Sequence, residues 1–225
     1  MFPFTIDHLY QLIVGLGVSI TLLGTVTAVG VIVGAAMAAG HLSRFGPTRI
    51  MAMSIDIALR GFPPVVLLFM VYYGFTDVFS LASFWAATLA LGMRAAGYFG
   101  RIFEGAVLSV PDSQMMAARS IGLSALGAFL FVVLPQAFRH ALPGIANEIS
   151  SQLKLTSLAF VVGVVELLRQ ARYLITGGTG SLLGILLVTA FLYYVANAVI
   201  FLCIGWLERR NSVPGLGSTH ALAGR

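Results

Sequence analysis

The sequence predicts an all-α integral membrane protein with about five transmembrane helices, and three observations carry that expectation. Hydrophobic residues fill 59% of the 225 positions and charged residues only 9%. The mean hydropathy is +0.97, whereas a soluble domain carries about a quarter charged residues. Apolar runs long enough to cross a hydrocarbon core of about 30 Å recur along the chain, separated by short turns rich in Arg, Gly and Pro. The length leaves room for five or six spans and no separate soluble domain. Residues 1–210 therefore read as one transmembrane domain, and 211–225 as a small, polar, flexible tail.

The first run covers about Leu9 to Ala39, longer than one bilayer. It contains Gly30 and Gly34, a small-xxx-small pair that permits close helix approach. No basic stretch precedes it, and it is too long for a signal peptide, so it reads as a retained span. A polar turn with Arg44, Gly46, Pro47 and Arg49 follows. The second run, about Ile50 to Phe75, is interrupted by Pro63 and Pro64, which should kink or break it. A third span is expected over about Leu81 to Gly105. A less apolar loop follows, and then the run Gly127 to Phe138, too short to cross. A fourth span is expected over about Ile145 to Leu168, and a fifth over about Leu182 to Leu207. Arginines in the loops favour one side, which predicts a periplasmic N-terminus and a cytoplasmic C-terminus and loop.

Several chemistries are absent. Lys154 is the single lysine and Leu153 precedes it, so no Gly-Lys-Ser/Thr phosphate loop exists. There is no His-Glu-x-x-His zinc motif or Gly-x-Ser-x-Gly nucleophile elbow. His8, His41, His140 and His220 lie in different segments without ligand spacing and read as interfacial or exposed. Lone Cys203 supports neither a disulfide framework nor a thiolate site. The net charge of +5 comes from scattered arginines, so a nucleic-acid partner is not expected.

What remains is a polar cluster in an apolar setting: Asn147, Glu148, Ser151, Gln152 and Lys154, with Ser157 beyond. Asn147, Ser151 and Lys154 share one helical face; Glu148 and Gln152 lie on a neighbouring stripe. Ionisable groups inside a span usually face a cavity or a partner. Two readings stand. Either Glu148 and Lys154 are solvated or paired near the membrane end, or they line a solute path.

The segment Arg60 to Gly74, beginning Arg-Gly-Phe-Pro-Pro, resembles the second-span signature of permease subunits in polar amino-acid ABC importers, the histidine/glutamine/arginine class. Met116-Ala117-Ala118-Arg119 with Gly122, followed by Leu134-Pro135, is similar to that family's Glu-Ala-Ala loop. Gln136 to Arg139, Asn147-Glu148 and Leu153 to Ser157 continue the pattern. The resemblance implies a type I ABC importer permease of the inner membrane. Its loop, about residues 106–135, would form a cytoplasmic coupling helix docked on an ATPase subunit dimer. Small Ala117 and Ala118 would allow close approach, Gly122 a tight turn, and Pro135 would stop the returning helix. The other partners implied are a second permease subunit or a second copy, and a periplasmic solute-binding protein. The chain would bind no cofactor, because the partner hydrolyses ATP. Two positions depart from the pattern. Met116 replaces the loop's usual Glu, and Leu155 replaces an Asp close to where relatives contact a cationic amino acid. A secondary transporter or channel would explain the spans and the polar cluster but not the loop.

Overall fold

The computed structural model describes residues 5–79, 81–178 and 181–211; side chains are described to 74 in the first stretch and to 210 in the last. Of the expected C-terminal tail, residues 212–225, with His220 among them, therefore lie outside the described residues, while Asn211 ends a helix. Every regular element among the described residues is helical. In order these are α1 (Ile6–His41), α2 (Gly46–Gly61), α3 (Pro64–Phe79), α4 (Ser83–Leu108), α5 (Asp112–Ser120), α6 (Ala125–Ala128), α7 (Leu134–Thr156), α8 (Leu167–Thr176) and α9 (Leu182–Asn211). A π-helical turn, Phe129–Val133, joins α6 to α7, and a 3-10 turn, Ser157–Val162, extends α7.

Three of these helical stretches are long and apolar enough to cross a membrane: Ile6–His41, Ala125–Val162 and Leu182–Arg210. The bent pair α2–α3 makes a fourth when counted as one span. The pair turns through 102°. Pro63 and Pro64 remove two amide donors there, and Phe62, which precedes them, is extended at φ −77, ψ 138. The expected break is thus where the prolines put it. α4 is 26 residues long but carries Arg94, Arg101 and Glu104. It tolerates them because it is the most enclosed helix, with Leu91, Ala95, Ala96 and Phe99 fully buried.

α1 and α4 run parallel and almost touch. Thr25 Oγ1 and Thr88 Oγ1 are 3.0 Å apart near one end, and His41 meets Glu104 at the other. Between them the glycines set the spacing. A Cβ on Gly34 would lie 2.7 Å from Phe99 Cβ and 3.0 Å from the Ala96 carbonyl. One on Gly30 would lie 2.8 Å from Ala95 Cβ. The small-xxx-small pair is therefore a used contact surface, as its spacing suggested. α7 runs the opposite way along α4: Gly144 packs on Ile102, and Val133, Ala137 and Ala141 cluster with Ala106 and Val110 at the α4 C-terminus. The first turns of α1 form a separate cluster with α8 and α9 around Leu12, Leu167 and Ile185.

The fourth span differs from its expected bounds. It begins at Ala125, not near Ile145, and the supposedly short run 127–138 is its first part. Pro135 does not stop the helix. It sits in the first turn of α7, where a missing N–H is tolerated, and the preceding π turn takes up the mismatch, with Leu134 N donating to Phe129 O. The far limit also moves. The helix ends at Gly163, whose φ is +104, and a new helix starts after Glu166. Glu166 is fully buried and caps α8, accepting from the amides of Leu168 and Arg169 at 2.8 Å each and from the Tyr193 hydroxyl at 2.8 Å.

Gly34→Leu should wedge α1 from α4 and cost about 1–3 kcal/mol or more, lowering the thermal midpoint of the purified protein. Gly24→Ala, which meets open space, should leave the midpoint unchanged in the same assay.

Candidate functional site

The loop between α4 and α7 is built around α5. Its nine residues begin after Pro111 with Asp112 in the first turn, a charge that suits the positive end of a helix. Its end is a Schellman turn: Gly122 N donates to Arg119 O at 3.1 Å and Leu123 N to Ala118 O at 3.3 Å. Gly122 has φ +94, a conformation that a side chain would strain. Ser124 then caps α6, accepting from Gly127 N at 3.1 Å.

The two loop alanines divide. Ala118 is buried, and Ala117 and Arg119 are exposed. Ala118 thus seats α5 on the chain itself rather than offering a surface. What α5 and its turn present outward is apolar: Met116 is 62% exposed and Ile121 81%. Leu134 and Pro135 are exposed at the base of α7. Beside α5 lies a cleft of about 560 Å³ whose lining includes Arg44 and Asp112.

Behind the loop, five titratable side chains tie α1, α2 and α4 together. The Asp56 carboxylate is fully buried and accepts from Arg60 Nε and Nη2 and from Arg101 Nε, all at 2.7 Å. Arg101 Nη1 also donates to Glu104 at 2.9 Å. Glu104 lies 3.2 Å from His41 Nδ1 without hydrogen-bond alignment. His41 and His8 are both buried, contrary to the expectation that every histidine is interfacial or exposed; His140 is exposed. Asp56 was not singled out from the sequence, yet its i,i+4 spacing to Arg60 is a legible signal.

The polar cluster of α7 splits into two faces. Asn147 and Lys154 are exposed and Ser151 is half-buried on one face. Glu148 and Gln152 are buried on the other, with the Gln152 amide donating to Glu148 Oε1. Lys154 and Glu148 therefore do not meet. Ser157 donates to the Lys154 carbonyl at 2.6 Å, and Ser150, on a third side, donates to Asn197 of α9 at 2.6 Å. Leu155 packs against the main core. Arg94 of α4 lies within electrostatic reach of Glu148. Its Nη2 donates to the Tyr98 hydroxyl at 3.1 Å, and its guanidinium sits 4.6 Å from that ring. No group of three or more metal-ligating side chains occurs among the described residues.

A bundle of helices, several of them long and apolar enough to cross a membrane, with a short helix on the loop between α4 and α7, defines a membrane protein. The model of the family described as binding-protein-dependent transport system inner membrane component matches residues 30–213, and the chain belongs to that family. It is 32% identical over 209 residues to the octopine transport system permease protein OccQ of Rhizobium radiobacter, covering 87% of this chain and 84% of the relative. It is 34% identical over 159 residues to the probable amino-acid permease protein YxeN of Bacillus subtilis, covering 69% and 70%. Among solved structures, a crystal structure of an amino acid ABC transporter with histidines superposes with a TM-score of 0.82 at 28% identity, covering 91% of this chain and 96% of that one. The fold is thus that of a type I ABC importer permease, and the relatives are a permease protein of an octopine transport system and a probable amino-acid permease.

Asp56→Ala should be strongly destabilising, because it leaves Arg60 and Arg101 facing each other without their shared anion. The arginines are each about one third exposed, so solvent screening holds the loss to about 3 kcal/mol. The drop should be visible as a lower thermal midpoint and a lower yield of monodisperse protein.

Proposed function

We propose that this chain is the membrane-spanning permease subunit of an ATP-driven importer for a polar amino acid or a related small solute, coupled to a separate ATPase through the α5 loop. The observation that carries this reading is the construction of the loop. A nine-residue helix is anchored by Ala118, closed by Gly122, and turned so that Met116 and Ile121 are bare. Exposed apolar side chains on a rigid helix suit a groove on a partner protein. Arg119 and Asp112 supply charge at the rim, where the usual loop glutamate is replaced by Met116.

On this reading the loop and the C-terminus are cytoplasmic and the N-terminus is periplasmic. The ATPase dimer binds and hydrolyses ATP, and the chain holds no cofactor of its own. A second permease subunit or a second copy completes the membrane unit, and a periplasmic binding protein delivers the solute. The octopine permease and the amino-acid permease among the relatives support a solute with amino-acid chemistry. The solute passes along the polar residues of α7. Closure of the ATPase dimer pushes α5, and the push reaches α4 and α7 directly because α5 joins their ends.

The double variant Met116→Asp, Ile121→Asp tests the docking role. Both sites are exposed, so the thermal midpoint should stay put. Co-purification with the ATPase should fall by about tenfold or more and uptake should be lost. Normal co-purification and normal uptake would remove the docking role.

A further inference from the structure

A groove runs between α1 and α7 with α4 as its floor. Its volume is about 490 Å³, and every residue that lines it is Ala, Val, Leu, Ile or Phe. Small residues make the room: Ala35 and Ala39 on α1, Ala137 and Ala141 on α7, and Ala106 beneath. Ala35, Ala39 and Phe138 are exposed, so the groove opens outward. On α1 it extends from Val31 to Leu42, about 17 Å of helix rise. Both α1 and α7 belong to stretches long and apolar enough to cross a membrane, so the groove lies beside lipid tails.

At one end the groove meets the cleft beside α5, because Val107 and Phe129 line both. There the lining changes from apolar to charged, with Arg44 and Asp112. Arg44 follows the end of α1 at His41, and Asp112 follows the end of α4 at Leu108. Both charges thus sit where long helices end, at the depth of lipid headgroups. Both side chains are exposed, and neither belongs to an ion pair among the described residues. An acyl chain gains little by leaving the bilayer for an apolar groove, since lipid tails are as apolar as the lining. Selection must therefore come from the headgroup. One cation and one anion at the mouth of the groove match a headgroup that carries both charges. A phosphate pairs with Arg44 and a primary ammonium with Asp112, whereas a purely anionic headgroup meets Asp112 as a like charge. We propose that the groove and cleft hold one phosphatidylethanolamine-type lipid, with an acyl chain between α1 and α7, its phosphate at Arg44 and its ammonium at Asp112. So placed, the lipid braces the start of α5 against the turn after α1. The inference goes beyond the proposed function and does not depend on it, because it needs only a chain seated in a bilayer.

The test uses the purified complex of this chain with its co-purifying subunits, in vesicles of equal phosphatidylethanolamine and phosphatidylglycerol. A trace of one lipid or the other carries a diazirine in its acyl chain. After illumination, adducts on groove peptides are measured by mass spectrometry relative to adducts on all other peptides of the chain. A ratio within one sample does not depend on how much of a variant folds. The ethanolamine probe should label the groove about fivefold above the glycerol probe, the scale of one charge at a membrane surface. Asp112→Asn should bring the two probes level, and Arg44→Gln should lower labelling by the ethanolamine probe about fivefold. The double variant Ala35→Phe, Ala39→Phe should abolish groove labelling. Ala36→Phe, at an exposed position outside the groove, should keep it. Groove labelling no higher than that of the other peptides would overturn the site and leave the groove to a neighbouring subunit. Equal labelling by the two probes in wild type, or an unchanged preference in Asp112→Asn, would overturn the headgroup assignment and the proposal with it.

Discussion

The near-contact of α1 and α4 is the constraint on which the rest of the molecule depends. In lipid, helices gain little from burying apolar surface against one another, and association relies on close packing. Gly30 and Gly34 of α1 bring that helix to within a Cβ's reach of Ala95, Ala96 and Phe99. The seam fixes the position and rotation of α4. α4 in turn carries Arg101 and Glu104 toward α2 and α1, packs along α7 through Ile102 and Ala106, and leads into the loop at its end.

Asp56 extends that seam into a three-helix joint. Its carboxylate is shared by Arg60, one turn before the α2–α3 break, and by Arg101, two turns before the loop. On the proposed function, a push on α5 would reach the joint through α4 as well as reaching α7. The α1–α4 seam is the most closely packed helix pair, whereas the chain between α4 and α7 leaves Met116 and Ile121 bare.

Much of this was legible in the sequence, and the exceptions have physical causes. Composition reported the bilayer, Pro63 and Pro64 reported the break, and the Gly30–Gly34 spacing reported a close contact. The loop pattern located α5 and its glycine turn. The bounds of the fourth span were misjudged because Pro135 reads as a stop, whereas a π turn before it allows the helix to continue. Residues beyond Val162 read as continuous apolar sequence, but Gly163 and the capping Glu166 divide it. Ala117 and Ala118 look equivalent in sequence; only the rotation of α5 on its seat decides that Ala118 is inside. The Arg101–Asp56 pair left no local pattern because its two members stand 45 positions apart. His41 is buried for the same kind of reason, since Glu104 meets it across the α1–α4 seam.

The central claim is that the bare face of α5 is the point where the ATPase pushes. Cysteine cross-linking in native membranes tests it most directly. With Cys203 replaced by serine, a cysteine at Ile121 and, separately, one at Leu183 near the start of α9 would each be treated with a short bifunctional thiol reagent. The account predicts that Ile121→Cys joins this chain to the ATPase subunit, with a yield that changes on ATP binding, and that Leu183→Cys does not. An ATPase adduct through position 183 and none through 121 would contradict it.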